Sequence, residues 1–172
     1  MLLYSIEDPS LEDSWFHGRP FTSPPTTPII VGIQEGYEKS HLLPFFGTPP
    51  VMSNEFYRAL VAAGVDNLDV YDSALQSDDK KVVYEGFKAF NVLGLVRAAD
   101  LEKTPFEEGN PSRLVDASIT NLPIDPERAR DLSLFRLAEY AGAVIVHERI
   151  KQALEKLQFP GVVFRDPADF VS

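Results

Sequence analysis

The chain has 172 residues, no cysteine, 44% hydrophobic and 24% charged residues, and a formal net charge of −10. That length fits one domain, residues 1–172, able to bury a core without covalent staples. The missing cysteines exclude disulfides, a thiolate nucleophile, cysteine-ligated zinc and iron–sulfur clusters, and the acidic balance disfavours nucleic acid and anionic membranes as partners.

The N-terminus, Met1 to Asp8, has no basic region ahead of an apolar stretch, and no apolar run approaches the ~18 residues of a membrane span. A cytoplasmic location is the expectation. Residues 1–49 form a Pro-rich irregular segment: seven prolines (Pro20, Pro24, Pro25, Pro28, Pro44, Pro49, Pro50) fall between residues 20 and 50. Proline removes a backbone donor and disfavours helix at the residue before it. Extended pieces and loops are expected, with short strands at Leu2–Ser5 and Ile29–Ile33. Trp15, Phe16, Phe21, Tyr37, Phe45 and Phe46 are packing anchors, so the segment should wrap the core rather than trail as a tail.

From residue 50 the chain carries an internal echo. Val51 to Val70 and Ile145 to Phe164 align without a gap at a separation of 94 residues. Met52, Phe56, Ala59, Leu60 and Ala63 make one helical stripe; Val146, Ile150, Ala153, Leu154 and Leu157 make its counterpart. Ser53 is the expected N-cap of the first helix, Glu55 sits near the positive end of its dipole, and Gly64 is its stop. Pro160-Gly161 stops the second helix, and Gly161–Arg165 reads as the strand after it. The pattern is a strand–helix–strand unit used twice.

Between the copies, Leu68–Leu75, Lys81–Phe90, Asn91–Ala98 and Leu114–Thr120 read as strands, and Leu134–Glu139 and Ala143–Val146 read as two more. Lys103–Arg113 is a polar loop and Pro126–Asp131 a short helical turn. The fold expected is α+β, a mixed or antiparallel sheet with two short amphipathic helices and the irregular N-terminal segment.

The acid is concentrated in the first half. Residues 1–86 hold 5 basic and 13 acidic residues, net −8; residues 87–172 hold 11 basic and 13 acidic, net −2. Asp66, Asp69, Asp72, Asp78 and Asp79 follow one another with no basic residue until Lys80. They read either as a solvated, solubilising face or as a surface for a basic protein. The spacing of Asp66, Asp69 and Asp72 is not that of a calcium loop.

His17, His41 and His147 could each serve as a general base. None has the i, i+4 spacing of a zinc pair, and no nucleophile elbow, phosphate loop or dinucleotide fingerprint occurs. His147, at the start of the second helix, suits a capping or surface role. Adjacent carboxylates such as Glu107-Glu108 would point to opposite faces of a strand, so adjacency alone makes no dyad. No catalytic residue, metal site or cofactor is expected. A small cytoplasmic hydrolase using one of the histidines and a self-associating adaptor are the rival readings.

The run Phe90-Asn91-Val92-Leu93-Gly94-Leu95-Val96-Arg97-Ala98-Ala99-Asp100 precedes Ile124-Asp125, Leu134-Phe135-Arg136-Leu137, Val144-Ile145-Val146 and Phe159-Pro160-Gly161-Val162-Val163-Phe164. This order resembles a bacterial polymorphic-toxin immunity protein family, the eleventh of the immunity series and formerly a domain of unknown function. The resemblance covers most of residues 50–166, the immunity-like core; Pro50-Val51-Met52-Ser53 is similar to the start of that family's first helix. His147 stands where the family usually has a serine cap. Within the motif, Phe135 reads as core and Arg136 as a strand residue pairing across the sheet.

The resemblance implies a protein that binds and neutralises a cognate toxin inside the producing cell by stoichiometric occlusion, without turnover. The toxin would be basic, and a homodimer is compatible with that role. The contact residues nominated by charge and position are Asp69, Tyr71, Asp72, Asp78 and Asp79.

Overall fold

The computed structural model describes residues 6–7, 10, 12–33, 42–77, 81–100 and 122–169. Strands β1 (Ile29–Ile33), β2 (Phe45–Phe46) and β3 (Val51–Ser53) lead into helix α1 (Asn54–Ala62). Strands β4 (Leu68–Ser77), β5 (Val83–Val92), β6 (Leu95–Val96), β7 (Leu134–Leu137) and β8 (Val144–Val146) follow, then helix α2 (Glu148–Glu155) and a 3-10 turn at Pro167–Asp169. The architecture is α+β. Five strands pair in the order β1-β4-β5-β3-β2, three in the order β6-β7-β8. β1 is parallel to β4 and β6 to β7, and the other pairs are antiparallel.

Both helices begin where the local chemistry dictates. Ser53 Oγ accepts the Phe56 N–H at 3.1 Å, closing the N-terminus of α1. The helix ends at Gly64, whose φ of +97° is open to glycine at little cost. In α2 the imidazole Nδ1 of His147 accepts the Arg149 N–H at 3.1 Å, so histidine performs the cap that a serine would otherwise supply. Buried Phe56 and Leu60 from α1 and Ile150 and Leu154 from α2 join Met52, Phe90, Val92 and Leu134 in the largest core cluster. Val31, Ile33, Val51, Leu75 and Phe87 form a second cluster on the opposite face of the large sheet. The third, with Ala98, Ala99, Leu122, Phe135 and Leu137, lies on the outer side of the small sheet.

Two elements differ from expectation. The strands read at Lys81–Phe90 and Asn91–Ala98 divide elsewhere: β5 runs through Phe90 and Asn91 to Val92, and β6 is only Leu95–Val96. The break falls at Leu93-Gly94 because other segments take its backbone. Leu93 N–H donates to Asn67 O at 2.8 Å, and Gly94 N–H to Gly18 O at 2.9 Å. The second strand–helix–strand unit is incomplete: residues 162–166 belong to no strand ladder among the described residues. A short apolar run such as Val162-Val163-Phe164 is compatible with a strand but does not specify a partner edge. The expected turn at Pro126–Asp131 is present, with Ala129 N–H donating to Asp125 O at 3.2 Å. The strands expected at Leu2–Ser5 and Leu114–Thr120 lie outside the described residues.

One side chain ties the two sheets together. Asn67, in the turn after α1, donates from Nδ2 to Leu93 O at 3.0 Å and to Leu134 O at 2.9 Å. It thereby holds the exit of β5 against the start of β7.

Candidate functional site

Side chains alternate along β4, so the nominated contact residues are divided between its faces. Asp69 and Tyr71 share one face. The Tyr71 hydroxyl donates to Asp69 Oδ2 at 2.7 Å. Its ring stacks on Phe21, with centroids 5.5 Å apart, and meets Trp15 edge-on at 5.8 Å. Burial, and then the hydrogen bond to Asp69, raise the Tyr71 pKa above the ordinary phenol range, so its proton stays in place. Asp72 faces the other way, is exposed, and meets Lys88 Nζ of β5 at 2.6 Å. Asp78 and Asp79 lie outside the described residues. The structure thus joins Asp69 to Tyr71 and sets Asp72 apart from both. On the Asp72 face, Ile30 of β1 (49% exposed) lies opposite Ala74, and Val83 of β5 (46%) lies opposite Gln76. These two apolar side chains flank β4 on the face that carries Asp72.

Side chains of residues 13–22 pack against one another and against Tyr71 and Asn91 of the large sheet. Trp15 is buried and donates its indole N–H to Glu7 O at 2.9 Å. Asp13 is buried too, and its Oδ2 accepts from the Thr22 hydroxyl at 2.5 Å and from the Thr22 backbone N–H at 2.9 Å. The Thr22 hydroxyl is the main cause of a lowered Asp13 pKa; burial opposes it, and the Thr22 N–H, Arg19 and Ser10 assist. Gly18 has φ +68°, and a Cβ there would stand 2.6 Å from Leu95 Cβ, so only glycine permits this approach. Buried Asn91 fixes the segment from below, donating Nδ2 to Arg19 O at 2.6 Å.

Arg136 of β7 is 0% exposed. Its guanidinium lies 4.7 Å from the centroid of the Phe16 ring, and Nη1 donates to Ala141 O in the β7–β8 turn. Nε and Nη2 have no hydrogen-bond partner among the described residues. Burial pushes the pKa down to about 10, which still leaves the group charged at neutral pH. Arg136 pairs across the sheet as expected, opposite Leu95 of β6 and Val144 of β8, and its side chain adds a cation–π contact to the N-terminal segment.

A cleft of about 390 Å³ opens between β8, α2 and residues 162–167. Phe45, Leu60, Leu134, Leu154 and Phe164 line its apolar interior, with Leu122 at one side. Its charged lining residues are Glu148, Lys151, Arg165 and Asp166. Sequence reasoning missed this cleft. Its only local signal was the apolar Val162-Val163-Phe164 run, read as a paired strand.

His147 is committed to the α2 cap, His17 is exposed on the N-terminal segment, and His41 lies outside the described residues. Among the described residues no group of three or more His, Cys, Asp or Glu side chains could hold a metal ion. No described helix is long and apolar enough to cross a membrane. Compared with known proteins, the chain matches no family model, and no curated protein matches it.

Proposed function

We propose that this protein is a binding protein that neutralises a cognate, basic toxin protein by stoichiometric occlusion inside the producing cell. The motif order from Phe90 to Phe164 suggests the role, and one structural observation carries the binding part of the reading. The face of the large sheet that α1 covers at one end leaves Ile30 and Val83 about half exposed at the other, on the face that also carries Asp72. Apolar anchors in a charged setting are the usual composition of an interface centre. The net charge of −10 would speed the approach of a basic partner.

The test is co-expression with the toxin-like C-terminal domain encoded by a neighbouring gene. Growth should be restored, and the two proteins should co-purify at one-to-one stoichiometry. A toxin that kills equally well in the presence of this protein overturns the reading.

A further inference from the structure

Strand β8 is the edge of the small sheet among the described residues, and its hydrogen-bond phase is fixed. His147 N–H donates to Ser133 O at 2.9 Å and Leu137 N–H to Ala143 O at 3.1 Å. The bonded pairs are therefore Ser133 with His147, Phe135 with Ile145, and Leu137 with Ala143. Val144 and Val146 occupy the alternate positions, where both N–H and C=O point away from β7. That direction leads to the cleft, which both residues line.

The far wall of the cleft is residues 162–166, which join no ladder among the described residues. Within that wall Val163 is 74% exposed, an apolar lip. An edge of alternating donors and acceptors above an apolar floor is complemented by one kind of group, another extended backbone.

We propose that this cleft is a strand-accepting slot, which takes an extended segment of the partner protein as a fourth strand beside β8. The inference rests on the neutralisation reading for the identity of the partner. Two outward-facing residues of β8 offer two donors and two acceptors, enough to fix a segment of about five residues at ~3.3 Å per residue. Side chains of that segment alternate between the side of Phe45, Leu60 and Phe164 and the side of Leu122, so apolar residues are selected there. The mouth carries Glu148 and Asp166 against Lys151 and Arg165, which favours neither sign locally. The net charge of −10 makes a segment from a basic protein the favoured occupant.

The probe is a library of heptapeptides displayed on phage, selected against the full chain, with the enriched peptides then synthesised. Enriched peptides should alternate apolar residues, and binding should protect the Val144 and Val146 amides from hydrogen exchange. Val144→Pro removes one outward donor without touching a β7–β8 hydrogen bond, and should weaken peptide binding about tenfold or more. Val162→Trp, which fills the slot from the opposite wall, should do the same if the proline variant fails to fold.

Three results overturn the slot: no peptide enriched over a protein-free control, equal binding by wild type and a folded variant, or unprotected Val144 and Val146 amides. Displacement of every selected peptide by dodecanoate without amide protection would make the cleft a small-ligand cavity instead. A folded Val144→Pro protein that still neutralises the toxin sinks the slot as a toxin contact and spares the proposed function. Failure of wild type to neutralise strikes the proposed function, while peptide binding still tests the slot.

Discussion

Arg136 is the least conventional residue in the molecule: a fully buried cation held by one carbonyl and one aromatic face rather than by a carboxylate. Removing its charge and removing its bulk should have opposite consequences. Arg136→Met keeps most of the volume under Phe16 and abolishes the desolvation cost; chemical denaturation should find it neutral or more stable by about 1–4 kcal/mol. Arg136→Ala leaves a hole beneath Phe16 and should lose about 2–5 kcal/mol. Asp13 behaves differently because its charge is well supplied with donors. Its pKa is depressed in the fold from 3.8, so its contribution is complete above that value and is lost as pH falls through the lower, folded value. Asp13→Asn should therefore be less stable than wild type at neutral pH, and the gap should close in strong acid. Trp15 is the single tryptophan, so its fluorescence during acid titration follows the segment that Asp13 pins.

At the level of elements, what was readable from sequence is what neighbouring residues decide. Ser53 followed by the Phe56–Leu60 stripe announces α1, and the Val144–Val146 run announces β8. Ser53→Ala should cost about 1 kcal/mol in thermal or denaturant unfolding by leaving the Phe56 N–H without its cap. The partition into two sheets was not readable, because it turns on Asn67 reaching carbonyls 26 and 67 residues away. No local pattern marks that asparagine among others. Asn67→Ala leaves two carbonyls unpaired and should cost about 1–3 kcal/mol, with early hydrogen exchange at the β6–β7 junction as its signature. The candidate site was legible to the same degree. Asp72 could be read as an exposed carboxylate. The packing of Tyr71 beneath Trp15 and Phe21 could not, since those rings arrive from about fifty residues earlier. The cleft was hidden by the opposite error: Gly161–Arg165 carries the short apolar run of a strand, and only the three-dimensional arrangement decides whether an edge lies within reach.

At the scale of the whole molecule, the net charge of −10 bears on the proposed encounter rather than on the fold. Asp72→Lys together with Asp78→Lys and Asp79→Lys should slow association with a basic toxin by about tenfold at low salt, with Asp69 left intact because it holds the Tyr71 hydroxyl. Stopped-flow rates at rising ionic strength check this: the difference should shrink as screening sets in. An unchanged rate would make these aspartates a solubility device. The parallel pairing of Ile29–Ile33 with Ser73–Ser77 also constrains how the protein is made. During synthesis the first strand leaves the ribosome before its only described neighbour in the large sheet has been translated. At about 5–20 residues per second that leaves roughly 2–9 s during which Ile29–Ile33 lack their strand partner β4. A nascent chain arrested before Ser77 should therefore be cut by protease near Ile30, and one released at full length should resist.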